Sequence, residues 1–398
     1  MAITKKVAEK ASEYLLFLFF VVFPFGQLLR FDLKLGIRPI TIHPIDILVG
    51  ISVIVLFLSG NYKRIKIKYF LFFIISIFSL VLSLNQFSII QVAMGSLYLI
   101  RLFAYFIFIY FVYFYIKGKE DKKAFLYKGL LTISTVSAIF GWVQYFWYPD
   151  LRFLKFIGWD EHLYRLTGTF LDPIFIGLVI VFGILISINL YQEKKKIVYL
   201  QILAFLAVSL AFTYSRASYL AFIVALIAYF PLKKLKVFIV IIFTLGLMLL
   251  LLPRPEGEGI KLERVASISA RWEGYKETFG FFKTSPLFGI GFNNICNVRE
   301  NYYNNNIKKV ASHACGGADL GLLLILTTTG VAGLMIFINS VYMFSKNIGD
   351  TKYKKVLIPV SIALFVHSFF ANSMFYPWIL GYFGILVAIS MNESKEYK

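Results

Sequence analysis

The sequence predicts an all-α polytopic membrane protein with about 12 transmembrane helices. Hydrophobic residues make up 59% of its 398 positions and charged residues 16%, against about 45–50% and about 25% in soluble domains. Apolar runs of roughly 16 to 25 residues recur along the whole length, the span a helix needs to cross the hydrocarbon core. Short basic connectors separate these runs.

The spans follow in order at about 12–30, 45–60, 69–84, 92–116, 124–148, 169–191, 197–213, 217–231, 237–252, 319–345, 356–372 and 374–391. No small-residue cleavage pattern follows the first run, so it reads as a true span and not a signal peptide. Lysine and arginine set the orientation, because they concentrate in cytoplasmic loops. The N-terminus carries Lys5, Lys6 and Lys10, and the connectors at 61–68, 117–123, 194–196, 232–236 and 346–355 are all lysine-rich. The connectors at 85–91 and 372–373 carry no lysine or arginine. Both termini are therefore expected in the cytoplasm. The net charge of +20 is accounted for by this topology, which removes nucleic acid as a partner.

The chain divides into residues 1–252 with nine spans, a long exterior stretch at 253–318, and 319–398 with three spans and a cytoplasmic tail. The exterior connector at 31–44 carries Asp32, Lys34, Arg38 and His43. The connector at 149–168, with Trp147 and Tyr148 before it, adds Phe153, Phe156 and Trp159, rings that favour the lipid headgroup region. The turn at 213–218 is so short that Arg216 must sit at the outer surface between two helices. Arg101 lies inside the fourth span. An arginine there is costly unless paired or functional; Asp46 and Asp172, at outer span ends, are the candidate partners. His367, in the outer half of the eleventh span, reads as a packed side chain.

The stretch 253–318 is too polar for lipid and too long for a connector. Ser269 is placed to cap a helix over 270–284, whose apolar residues Trp272, Tyr275, Phe279 and Phe282 recur at spacings of one helical face. Such a helix suits the membrane surface or the mouth of a cavity. Arg271 would fall in its first turn, where free N–H groups and the helix dipole already attract anions; the alternative is a solvated arginine paired with Glu273 or Glu277. The only two cysteines, Cys296 and Cys315, share this exterior stretch. The arrangement favours a disulfide, which would close a loop of about 20 residues and contribute roughly 3 kcal/mol. The alternatives are a metal site of Cys296, His313, Cys315 and Asp319, whose spacing is looser than usual zinc pairs, and two free thiols. His313 is a candidate general base, since imidazole titrates near neutral pH; the alternative is a surface histidine at a helix entrance.

Four segments in order resemble the O-antigen ligase and O-antigen polymerase superfamily of bacterial envelope glycosyltransferases. RLTGTFLDPIFIG at 165–177 is similar to its GTF-x-N-P segment, and FTYSRASYL at 212–220 to its T-x-SR turn. SARWEGYKETFGFFKTSPLFGIGFNN at 269–294 is similar to its R-x-x-x-W…P-L-x-G-x-G segment. SHACGGADLGLLLILTTTGVAGL at 312–334 is similar to its H-N-x-x-L…G-x-x-G-L segment. The likeness covers roughly residues 160–345. It departs from the pattern at Ala314 and Asp172, both asparagine in the family.

The resemblance implies a fold like the C-type membrane glycosyltransferases and an active site on the exterior face of the inner (cytoplasmic) membrane. It carries the pyrophosphate-binding role to Arg216 and Arg271 and the acceptor-activating role to His313. The implied reaction transfers glycan from an undecaprenyl-diphosphate-linked donor to a saccharide or glycolipid acceptor, with inversion and with no metal or other cofactor. Two other classes compete: a C-type glycosyltransferase using Asp32 with a metal, and a lipid-glycan flippase. A flippase should show a half-to-half repeat and broken helices at mid-membrane; the sequence shows no such repeat.

Overall fold

The computed structural model describes residues 2–35, 38–157, 159–230, 250–253, 258–262, 266–302 and 318–392, with single residues at 239, 243 and 246. It is mostly helical. In order come α1 (Ala2–Val22), α2 (Pro44–Leu58), α3 (Leu71–Ser83), α4 (Ile89–Ile116), α5 (Glu120–Trp147), α6 (Pro173–Lys194), α7 (Ile197–Phe212) and α8 (Arg216–Tyr229). These are followed by α9 (Ala266–Thr284), α10 (Ile295–Tyr302), α11 (Gly321–Ser345), α12 (Lys354–His367) and α13 (Pro377–Ser390). Every predicted span coincides with one of these helices except 237–252, which lies almost wholly outside the described residues.

Among the described residues, five helices are long and apolar enough to cross a membrane: Lys6–Leu28, Ile89–Ile116, Glu120–Trp147, Pro173–Lys194 and Gly321–Ser345. This makes the chain a helical membrane protein. The helices α2, α7, α8, α12 and α13 run only 14 to 16 residues. At 1.5 Å per residue that is about 21–24 Å, short of the ~30 Å hydrocarbon core. Length therefore supports five crossings and does not establish twelve.

The connector at 31–44 is not irregular. It forms an antiparallel hairpin, β1 (Phe31–Leu35) with β2 (Arg38–Ile42), in the register Phe31↔Ile42 and Asp32↔Thr41. The cross-strand pair is fixed by the Thr41 hydroxyl donating to Asp32 at 2.6 Å.

The helix α6 lies at the centre. Its residues from Ile176 to Leu190 are all buried, so its sequence is apolar all round with no polar face. Small residues let its neighbours come close, as membrane helices require. A Cβ at Gly177 would stand 2.4 Å from Ser218 Oγ on α8, and one at Gly183 2.5 Å from Ser134 Cβ on α5. The helices α8 and α12 pack along each other, and α12 also packs on α6. Ser134 and Tyr382 are satisfied within this core: Ser134 Oγ donates to Leu130 O or Val179 O, and Tyr382 Oη lies 3.0 Å from Ser134 Oγ. Without water there is no other partner for them.

The helix α11 is broken at Gly330, whose φ is 70°. The segment Pro286–Gly291 of the long polar stretch fills the break. Val331 N donates to Pro286 O at 2.9 Å, Ala332 N to Leu287 O at 3.2 Å, and Ile290 N to Thr327 O at 3.0 Å. Ser79 Oγ supplies a further donor to Thr328 O at 2.7 Å. The groups freed by the break are thus paired, which membrane burial demands. The fit leaves no room for side chains, since a Cβ on Gly289 or Gly330 would lie within 2.4 Å of the opposing backbone. Both glycines also hold a left-handed backbone. The P-L-x-G-x-G and G-x-x-G-L segments are therefore two halves of one structural lock.

Gly330→Ala should break this lock and lower unfolding free energy by about 3 kcal/mol or more, combining backbone strain with overpacking. Gly274→Ala, on α9 with nothing within 4 Å, should instead stabilise by about 0.5–1 kcal/mol through helix propensity. Thermal melts of the purified protein in detergent test both; a Gly330→Ala melt like that of the parent would refute the lock.

Candidate functional site

Arg216 is the first residue of α8. Ser215 caps that helix, its hydroxyl accepting from Ser218 N. The first-turn position expected for Arg271 therefore belongs to Arg216, at the end of a helix that favours anions. The turn before it is sharply held. Tyr214 has φ 49°, is buried, and donates from its hydroxyl to Pro253 O at 2.6 Å. Arg216 Nη1 donates to Leu262 O at 3.1 Å. Ala211, Tyr214, Leu252 and Ile260 form a small apolar cluster there. The start of the long polar stretch thus folds over the α7–α8 turn.

Arg165 shapes the same turn. It is buried, and it donates from Nε to Thr213 O at 3.1 Å and from Nη2 to Tyr214 O at 3.2 Å. Arg165 opens the RLTGTFLDPIFIG segment at 165–177, whose pattern assigns it no role. Its one signal was a position three residues before Gly168 of the GTF segment.

Arg271 lies on α9, which begins at Ala266. Two expectations are corrected here. Ser269 sits inside the helix and does not cap it, and Arg271 is in the second turn, not the first. The buried face also differs. Thr278 and Phe281 are buried, while Trp272 and Phe279 are exposed. Phe281 joins Ile290, Ile295 and Leu324 in a small core beneath the helix. Tyr275 donates to Phe369 O at the end of α12, and Thr327 Oγ1 donates to Thr278 O at 3.3 Å. Glu277 pairs with Arg299 of α10 at 2.8 Å, while Arg271 pairs with Asp319 at 3.8 Å. So Arg271 does not take Glu277. With α9 docked in this way, Arg271 comes within electrostatic reach of Arg216, Asp172, Asp319 and His367.

Asp172 is not the partner of Arg101. It caps α6, with Oδ1 accepting from Ile174 N at 2.7 Å, and lies just outside the spanning helix. Burial, reinforced by Asp160, pushes its carboxyl up to about 6 against the Ile174 N–H, Arg165 and Arg271, which pull it down. His367 is fully buried at the end of α12, as expected, between Ser218 Oγ at 3.3 Å and Ser373 Oγ at 2.6 Å. It ties the start of α8 to the α12–α13 link.

Arg101 does have a partner: Asp46, at 3.1 Å, with side chains 18% and 12% exposed. It also donates to Thr41 O. Asp46 accepts from His43 N at 3.0 Å and from Tyr105 Oη at 3.0 Å. The aspartate thus joins α2, α4 and the hairpin. Asp32 is engaged within the hairpin by Arg30 at 2.7 Å and by Thr41.

His313 and Cys315 lie outside the described residues. Cys296 is buried on α10 and is not a free thiol; its bridge to Cys315 remains a proposal.

Two helix N-termini joined by the Ser218 Oγ bond to Ile174 O at 3.2 Å thus lie within electrostatic reach of Arg271, which in turn acts on Arg216 and on Asp172. This is the equipment of an anion site in a polytopic membrane protein. Residues 201–338 match the family described as O-Antigen ligase, which supports the O-antigen ligase and polymerase superfamily for this chain. The match includes Arg216, Arg271 and the Gly330 break. No curated protein matches the chain.

Removing Arg101 would strand Asp46 in a poorly solvated place. Arg101→Ala should cost about 3 kcal/mol of stability. The double change with Asp46→Asn should cost less than the two single losses together. Additive losses in detergent melts would show that the pair is not coupled.

Proposed function

We propose that this protein transfers a glycan from an undecaprenyl-diphosphate-linked donor to an acceptor hydroxyl on the exterior face of the cytoplasmic membrane. The observation that carries the proposal is that Arg216, at the start of α8, and Arg271, from a separate segment, lie within electrostatic reach of each other. An enzyme that expels a diphosphate needs fixed positive charge where the leaving group's charge develops. Arginine suits that role because it stays protonated and offers forked donors.

The reaction is a single displacement. The acceptor oxygen bonds to the anomeric carbon as the bond to the diphosphate oxygen breaks, so the configuration inverts. His313 takes the hydroxyl proton, and undecaprenyl diphosphate leaves with the electron pair, held by Arg216 and Arg271. Arg165 holds the Arg216 turn. The family match supports ligase or polymerase chemistry in general. A polymerase would run the same displacement with a growing chain as acceptor. The engagement of Asp32 with Arg30 and Thr41 favours the arginine site over the one built on Asp32.

Membranes supplied with a lipid-diphosphate-linked glycan should show transfer that falls about 100-fold in Arg216→Ala and in Arg271→Ala. Transfer should disappear in His313→Ala while all three variants keep the elution profile of the parent. Transfer that survives these changes but fails with EDTA or in Asp32→Asn would sink the proposal.

A further inference from the structure

We propose that Asp172 sets the strength of diphosphate binding through its own ionisation: neutral, it donates a hydrogen bond to a phosphate oxygen; ionised, it repels the diphosphate. The inference rests on the anion site proposed above and adds a group to it.

Position is the first argument. Asp172 ends α6, and Ile174 of the same turn is joined to α8 through Ser218 Oγ at 3.2 Å. The glycine at 177 lets the two helix starts pack this closely. Asp172 is therefore held on the turn of α6 that bonds to the first turn of α8. The Asp172 carboxyl is also half free. Ile174 N occupies Oδ1 at 2.7 Å, whereas Oδ2 meets no donor among the described residues, and the side chain is only partly buried.

Its charged surroundings are mixed. Asp160 and Arg165 approach from the 149–168 connector, Arg271 from α9, and Tyr376 from the link into α13. Arg216 and His367 lie one contact further, across Ser218. The neutral carboxyl thus already competes with the ionised one near pH 6 in the empty site. A diphosphate brought to Arg271 adds negative charge beside it and favours the neutral form further. By linkage, the neutral form must bind the diphosphate more tightly. Affinity then falls as pH rises through the carboxyl's titration. The ligand's own ionisation acts the other way, drawing it more strongly to the arginines at higher pH, but does so equally in any variant.

Asparagine at 172 would keep the Oδ1 cap and a donor while removing the charge, and Asp172→Ser offers a second uncharged cap. Binding of farnesyl diphosphate to the full-length protein in detergent, measured by calorimetry at pH 5.5 and 7.5, tests the idea. Between these values the parent should lose affinity about tenfold relative to Asp172→Asn, the change that one unit of coupled titration gives. Asp172→Ser should follow the asparagine variant. Parallel pH profiles in all three proteins, with binding still lost in Arg271→Ala, would overturn the role of Asp172 and leave the anion site standing. Failure of the probe to bind any of them, or binding unchanged in Arg271→Ala, would overturn both.

Discussion

The contact on which the site depends is the approach of α6 to α8 at Gly177 and Ser218. Any side chain at 177 would enter the Ser218 hydroxyl, so the distance between the helices is fixed by the absence of one. That hydroxyl then bonds Ile174 O and faces His367. One serine therefore sets the relation of three helix ends: the start of α6, the start of α8 and the end of α12. Asp172 and Arg216 stand on the first two. Arg271 reaches them because Tyr275, four residues on, is tied to Phe369, just beyond the end of α12. Close packing within the bundle thus becomes precise placement of charge at its end.

A second constraint is the cost of unpaired backbone in an apolar medium. Opening α11 at Gly330 frees N–H and C=O groups that lipid cannot satisfy. The structure pairs them with Pro286, Leu287, Ile290 and Ser79. This has a consequence for the long polar stretch. Its middle is fastened to a spanning helix through backbone bonds that do not depend on side-chain identity, apart from the glycines. The helix α9 lies between that anchor and the contacts that Pro253, Ile260 and Leu262 make with the α7–α8 turn. Arg271 is then presented by a supported element, as a preorganised charge needs to be.

The helices were legible in the sequence because an apolar run of sufficient length has few alternatives. Their status as full crossings was not, since runs such as 217–231 give helices of 14 residues. The hairpin was missed because FDLKL and RPITI are too short to stand out from a loop. The register of α9 failed for a reason particular to membranes. Trp272 and Phe279 on one side and Phe281 on the other are all apolar, and hydrophobicity does not distinguish a face turned to protein from one turned to lipid. The start of α9 was misplaced because Ser269 suits a cap and also tolerates an exposed helical position. The partner of Arg101 was narrowed to Asp46 or Asp172 by depth alone; the choice needed the packing of α2 on α4. Arg165 escaped notice because its role is to bond carbonyls of a turn some fifty residues away, which no local pattern encodes.

The two arginines of the site repel each other, and the fold bears that cost when the site is empty. Arg216 is restrained by Leu262 O, and Arg271 leans on Asp319 at 3.8 Å, a long and half-exposed pair. The Asp319 pair is too long to meet the Arg271 charge as a close buried carboxylate would. Arg101 makes the contrast: its charge is met at 3.1 Å by Asp46, which His43 and Tyr105 hold in turn. A pair satisfied in that way has little to offer a ligand. Arg271 keeps more of its charge for a ligand, and an incoming dianion would also relieve its repulsion with Arg216. The difference between the two settings, more than the presence of arginine itself, is what separates a structural cation from one fitted to receive a diphosphate.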